Sequence, residues 1–248
     1  MAGDGTRCVH GGHPAGPTGA PLHAGPVLAT AFHLGLPAEP TPEDFYGRAA
    51  NPTWRALEAA IGELDGGGCV VFASGMAALA AVLRLAVRPG RALVLPSDGY
   101  YLARSLARDE LAPLGVEVRE VPTAGSWVRP GRPDRHGGSD RGSRPDRAVA
   151  TGAGPDLDPG LPPGPLDGAA LVLVETPSNP GLDVCDIAAA AEAAHAAGAL
   201  LAVDNTTATP LGQRPLDLGA DLVVASDTKA LAGHSDVVLG HVSARDPE

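Results

Sequence analysis

Of the 18 basic residues in this 248-residue chain, 17 are arginines and one, Lys229, is a lysine. A guanidinium keeps its proton and can neither form an imine nor attack as an amine, so any such chemistry falls to Lys229. It stands in Ser226-Asp227-Thr228-Lys229, directly after the apolar run DLVVA. Three other polar clusters also follow apolar runs. Ser74-Gly75-Met76 comes after CVVFA; glycine permits close approach of a ligand, and the first N–H groups of a helix opened there would bind an anion such as phosphate. Thr176-Pro177-Ser178-Asn179-Pro180 follows ALVLVE, with two prolines fixing the backbone that presents the Asn179 amide. Asp204-Asn205-Thr206 follows ALLAV and sets an acid at the end of the run. Taken singly, each cluster has an ordinary explanation as a turn, a cap or close packing. Taken together, they supply a lysine for a Schiff base, a carboxylate to keep a ring nitrogen protonated, and donors for a phosphate. Those are the needs of an aldehyde-bearing pyridine phosphate.

The clusters meet only if the apolar runs lie side by side. Runs near 69–73, 91–95, 116–121, 170–175, 199–204 and 221–226 read as strands. Alanine-rich stretches near 54–64, 75–87, 100–113 and 186–197 read as helices, the last opened by Asp186 and closed by Gly198. This alternation predicts an α/β fold with a mostly parallel sheet, whose ligands sit beyond the carboxyl ends of the strands. Residues 1–53, rich in Pro, Gly and His, are expected to form an extended arm, and 54–248 the cofactor domain. Between 122 and 168 there are 10 Gly and 9 Pro, so this stretch is expected to be a disordered insertion.

The motifs YGRAANPTWRALE (46–58), FASGMAA (72–78), Asp98-Gly99-Tyr100, ETPSNP (175–180), VDNTTATP (203–210) and SDTKALAGHSD (226–236) resemble, in order and spacing, the pyridoxal-phosphate enzymes of cysteine and methionine metabolism. The resemblance implies the large domain of a fold type I pyridoxal-phosphate-dependent transferase. It also implies pyridoxal 5'-phosphate bound as a Schiff base on Lys229, with Asp204 at the ring nitrogen, Thr206 close by and Asn179 at the ring hydroxyl. Gly75, Met76, Ser226 and Thr228 would hold the phosphate. Tyr100 would stack on the ring and join Lys229 as a catalytic residue, although Tyr101 could take its place. Tyr46 and Arg48 would reach into the site of a neighbouring copy, which implies a homo-oligomer. The nearest activity in kind is cystathionine γ-lyase, a carbon–sulfur lyase of transsulfuration, with cystathionine γ-synthase as the alternative. By the same resemblance, a C-terminal small domain that binds the substrate's carboxylate is absent from the sequence. A catalytically silent cofactor-binding module is therefore a second reading, and an α/β domain for some other phosphate ligand a third.

The net charge of −11 argues against nucleic acid and anionic membrane surfaces as partners and leaves a small sulfur-containing amino acid as the expected one. Three cysteines without CxxC spacing indicate neither a disulfide framework nor a zinc site. The longest uncharged apolar stretch, 69–83, has 15 residues and the first residues lack a signal-type apolar core, so a cytoplasmic location is expected. The eight histidines, His241 among them, show no metal-ligand spacing and read as surface or locally bonded residues.

Overall fold

The computed structural model describes residues 3–13, 16–21, 24–35, 42–85, 88–125, 127 and 164–245. Continuous apolar runs make the middle of the sheet. Strand β2 (Ala92–Pro96) is buried at all five positions, and β4 (Ala169–Glu175) at six of seven, the pattern of strands covered on both faces. With β1 (Gly68–Phe72), β3 (Glu117–Val121), β5 (Leu200–Asp204), β6 (Leu222–Ala225) and β7 (Gly240–Ala244), they form one seven-stranded sheet in the order β1-β7-β6-β5-β4-β2-β3. From β3 to β6 every pairing is parallel, whereas β7 runs antiparallel to both β6 and β1. The register sets Glu175 beside Asp204, and Asp204 beside Val224.

Alternate residues of the central strands face two separate cores. Val94, Val172, Val174, Leu201 and Val203 pack with Ile187, Ala190, Ala191 and Ala194 of helix α5 (Ile187–Ala196). Leu93, Leu95, Leu171, Leu173 and Ala202 pack with Ala78, Leu79, Val82 and Leu83 of helix α3 (Gly75–Leu85). Helix α2 (Pro52–Asp65) opens on Asn51, whose Oδ1 accepts from Thr53 N at 2.8 Å and whose Nδ2 donates to the Val27 carbonyl at 3.0 Å. It stops at Gly66 with φ 86°, a left-handed end that glycine adopts without a Cβ clash. The Asp186 carboxylate caps α5 through Ala189 N at 3.0 Å, as the sequence predicts. Among the described residues no helix is long and apolar enough to cross a membrane.

Four features differ from the sequence expectations. The arm contains a seven-residue helix, α1 (Asp4–His10), with no buried residue; Asp4 pairs with Arg214 at 2.7 Å. So short a helix has too few turns to show an apolar stripe. Helix α4 (Tyr101–Leu106) does not run on regularly to 113 but widens into a π turn at Ala107–Leu111 and tightens into a 3₁₀ turn at Ala112–Leu114, where Pro113 removes a backbone donor. Strand β7 was not expected, because GHVSA carries neither an apolar run nor a clear alternation. Finally, both ends of the 122–168 stretch belong to the packed domain. Trp127 and Leu166 are buried in the α5-side core, and Thr123 N and Oγ1 donate to Asp98 Oδ1 at 2.9 and 2.8 Å. Residues 126 and 128–163 lie outside the described residues.

Leu171, 1 % exposed on β4, gives a test of the central core. Leu171→Ala should lower unfolding stability by about 2–5 kcal/mol, read as a lower denaturant midpoint in equilibrium unfolding.

Candidate active site

At the carboxyl ends of β4, β5 and β6 a cleft holds about 610 Å³ of space, part of it open to solvent. Gly75, Met76, Tyr100, Asn179, Asp204, Thr206, Ser226 and Lys229 all line it. The sequence named these eight from separate segments, and the parallel register brings them to one place.

One end of the cleft suits an anion. Ser74 Oγ accepts from Ala77 N at 3.1 Å and so caps α3, while the N–H groups of Gly75 and Met76 have no hydrogen-bond partner among the described residues. A Cβ on Gly75 would lie 2.5 Å from Ser226 Cβ, and one on Gly240 would lie 2.5 Å from the Ser74 carbonyl. Glycine is therefore required where β6 and β7 press on the start of α3, and Ser226 is held against the free amides.

Asp204 lies further along the cleft. Its Oδ1 accepts from Thr206 N at 3.0 Å and from Thr206 Oγ1 at 2.6 Å, and its Oδ2 has no partner among the described residues. Thr206 Oγ1 in turn accepts from Ser226 N at 2.8 Å, so one hydroxyl joins the carboxylate to the anion end. Burial pushes the Asp204 pKa up, the two Thr206 hydrogen bonds and the charge of His241 working against the rise. A carboxyl with one oxygen fixed, the other free and a raised pKa is suited to a cationic N–H donor from a ligand. Together with the amine of Lys229 and the free amides of α3, this donor set fits a pyridine ring that carries a phosphate.

Tyr100 and Tyr101 are set edge-on with ring centroids 5.4 Å apart. Tyr100 lines the cleft, whereas Tyr101 is 63 % exposed and lies outside it. Arg104 fixes the turn before them, donating to the Gly99 carbonyl at 2.8 Å. Asn179 projects from a closed loop in which Ser178 N donates to the Asp183 carbonyl, Asp183 N to Ser178 Oγ and Cys185 N to Thr176 Oγ1.

Three of the expected residues lie outside the cleft. Thr228 Oγ1 donates to the Leu239 carbonyl and accepts from Leu239 N, both at 3.1 Å, so its proton is not available to a phosphate. Tyr46 and Arg48 stack on each other, the guanidinium 4.9 Å from the ring centre, away from the cleft of their own chain.

Glu175, Thr207 and Leu79 line the cleft without having been singled out. The signal for Glu175 was its place as the last residue of a strand. It is buried and accepts from Tyr100 N, and its pKa is pushed up to about 7 by burial and then by the charge of Asp204.

An α/β domain that gathers one lysine, a half-satisfied carboxylate and a helix start with two free N–H groups at its strand ends defines a cofactor-binding enzyme domain. The chain belongs to the Cys/Met metabolism PLP-dependent enzyme family, whose model matches residues 6–127 and 167–248; the family's cofactor is pyridoxal phosphate. A Streptomyces coelicolor protein provisionally named a cystathionine gamma-lyase is 49 % identical over 98 % of this chain and 54 % of its own length. The cystathionine gamma-synthase of Escherichia coli is 39 % identical over 92 % of this chain and 50 % of its own. The crystal structure of a cystathionine gamma-lyase from Micromonospora echinospora superposes with a TM-score of 0.76 at 33 % identity, over 100 % of this chain and 56 % of that one. The chain thus spans about half the length of the relatives it matches.

The Glu175 carboxyl yields a pH test. Its folded pKa of about 7 lies above the ordinary value of 4.5, so its contribution to stability is full below about pH 4.5 and is lost as pH rises through about 7. Glu175→Gln should therefore flatten the fall in melting temperature of the cofactor-free protein between pH 5 and 8. An unchanged slope would remove Glu175 as its source.

Proposed function

We propose that this chain builds the pyridoxal-phosphate site of a carbon–sulfur lyase acting on a sulfur-containing amino acid, cystathionine γ-lyase in kind. The observation that carries the reading is the meeting of Lys229, Asp204, Asn179, Tyr100 and the free amides of α3 in one cleft. The Lys229 amine would hold the cofactor through its aldehyde and would serve as the base for the substrate's α-proton. Asp204, oriented by Thr206, holds the proton of the ring nitrogen on its free Oδ2. The N–H groups of Gly75 and Met76, with Ser226 Oγ, bind the phosphate, while the Asn179 amide meets the ring hydroxyl. Tyr100 covers the ring face. Thr228 acts at one remove, by clamping the lysine turn to Leu239. The bound pyridine ring supplies an electron sink for the carbanion. Loss of the γ-thioether, with one water consumed, would convert cystathionine to cysteine, 2-oxobutanoate and ammonia.

The lyase reading is supported by the name of the 49 % identical relative, and the synthase alternative by that of the 39 % identical one. The half-length match keeps a cofactor-binding module without turnover as a further reading.

Adding pyridoxal phosphate to the 248-residue chain should give an adduct that borohydride fixes on Lys229, seen by peptide mass spectrometry. Lys229→Ala should abolish it, and an absent adduct in the unaltered chain sinks the reading. Where the chain turns over, Asp204→Asn should lower the rate by about 100-fold or more. Release of 2-oxobutanoate from cystathionine marks the lyase; condensation of an activated homoserine with cysteine, without that release, marks the synthase. Adduct without either reaction marks the module.

The placing of Tyr46 and Arg48 outside their own cleft supports a site shared between two copies. Sedimentation should show a dimer or larger assembly, and Arg48→Ala should weaken cofactor binding by about 10-fold. A monomer that binds the cofactor with unchanged affinity after that substitution would refute the sharing.

A further inference from the structure

Against the segment that carries Lys229 sits a buried group of three titratable side chains that does not line the cleft. His241 on β7 is 1 % exposed. Its Nδ1 is 2.7 Å from Asp227 Oδ1 and its Nε2 is 2.9 Å from Asp65 Oδ2, and both acids are buried. A neutral imidazole would turn a lone pair toward one of these carboxylates, whereas the imidazolium donates to both. Asp65 Oδ1 and Asp227 Oδ2 are buried without a hydrogen-bond partner. His241 is the only ion-pair partner of either acid among the described residues. Burial works against a charge on the ring, but the hydrogen bonds and charges of Asp227 and Asp65 carry its pKa up to about 9.

The surroundings agree with a resident cation. On β5, Asp204 has its charged form favoured by His241. On β1, Cys69 is pushed up to about 12 by burial and stays a neutral thiol; Glu58 on α2, whose Oε1 accepts from Val71 N, is the further carboxylate acting on it. Asp227 lies two residues before Lys229. Its backbone carbonyl accepts from Ala232 N, the Ser226 carbonyl accepts from Lys229 N, and the next residue is Thr228 with its clamp to Leu239. Besides the Thr206 hydroxyl that accepts from Ser226 N, the lysine turn is therefore anchored by two of its own side chains, Thr228 and Asp227.

We propose that His241, held as an imidazolium between Asp65 and Asp227, is the positioning residue for Lys229, fixing the 226–229 turn to β7 and α2 and lending its positive charge to Asp204. The consequence for the cofactor rests on the reading that Lys229 anchors it; the fixing of the turn does not.

Three measurements on the 248-residue chain test this. Side-chain ¹⁵N shifts of histidine-labelled protein, with His241 assigned by its loss in His241→Gln, should show an imidazolium at pH 7.5; a neutral ring there overturns the proposal. Hydrogen exchange at pH 7 of the amides in 226–230 should be about 10-fold faster in His241→Gln, with 170–175 unchanged as the control for folding, and an equal rate overturns it. The double variant Asp65→Asn/His241→Gln restores a chain of hydrogen bonds without the charge; its exchange should stay fast, and a return to the original rate would assign the effect to hydrogen bonding alone. Should His241→Gln fail to fold, Asp227→Asn carries the same exchange measurement. In the third measurement, the yield of borohydride-fixed adduct on Lys229 should fall by about 10-fold in His241→Gln, and an undiminished yield overturns the link to the cofactor. If the unaltered chain gives no adduct at all, the cofactor reading fails alone, and hydrogen exchange still decides the role of His241.

Discussion

Two acids side by side govern this molecule. The parallel pairing of β4 with β5 places Glu175 opposite Asp204 at the point where both strands end, and the cleft opens there. Two neighbouring carboxylates in a poorly solvated site cannot both ionise freely. The fold separates them by giving the stabilising contacts unequally. Asp204 receives the two Thr206 hydrogen bonds and the favourable charge of His241, whereas Glu175 has a single backbone donor from Tyr100 and is pushed up toward neutrality. Burial raises the Asp204 pKa as well, but the two Thr206 hydrogen bonds and the charge of His241 oppose that rise and leave it the better placed of the two to meet a cation. The other can stay protonated near pH 7 and hold the turn that presents Tyr100.

Around that pair, few atoms tie the two ends of the cleft together. Thr206 Oγ1 donates to Asp204 and accepts from Ser226 N, so the carboxylate and the anion end share one hydroxyl. The spacing between the carboxylate and the anion end is in this way built into adjacent strands of a sheet, which hold it more rigidly than a loop would. Lys229 belongs to a different kind of support, a turn with little apolar burial of its own that depends on polar anchors behind it.

Much of this was legible in the sequence, because the apolar runs of β2, β4, β5 and β6 are continuous and the polar clusters follow them immediately. The cap at Asp186 and the helix start at Gly75 were readable for the same reason: each is a local signal. What escaped was set by contacts distant in sequence. His241 looked like one unremarkable histidine of eight, since the acids that bury it lie on α2 and beside the lysine. Strand β7 was hidden with it, as a strand whose inner positions are glycine, histidine and serine carries no apolar signature. The family resemblance puts the hydroxyl of Thr228 at a phosphate, and only the fold shows it bonded to Leu239. Trp127 and Leu166 were lost in a Gly- and Pro-rich stretch whose average composition masks two core residues at its ends.

The place of β7 in the sheet also bears on the order in which the molecule can assemble. This strand comes last among the seven yet lies between β6 and β1, and His241 meets an aspartate 176 residues earlier in the chain. During synthesis β1 has no strand to pair with, among the described residues, until residues 240–244 emerge. Gly240 of that strand then comes up against the Ser74 carbonyl and Gly75 at the start of α3. The anion end of the cleft is encoded early in the chain and completed late, so its formation reports that the whole sheet has closed.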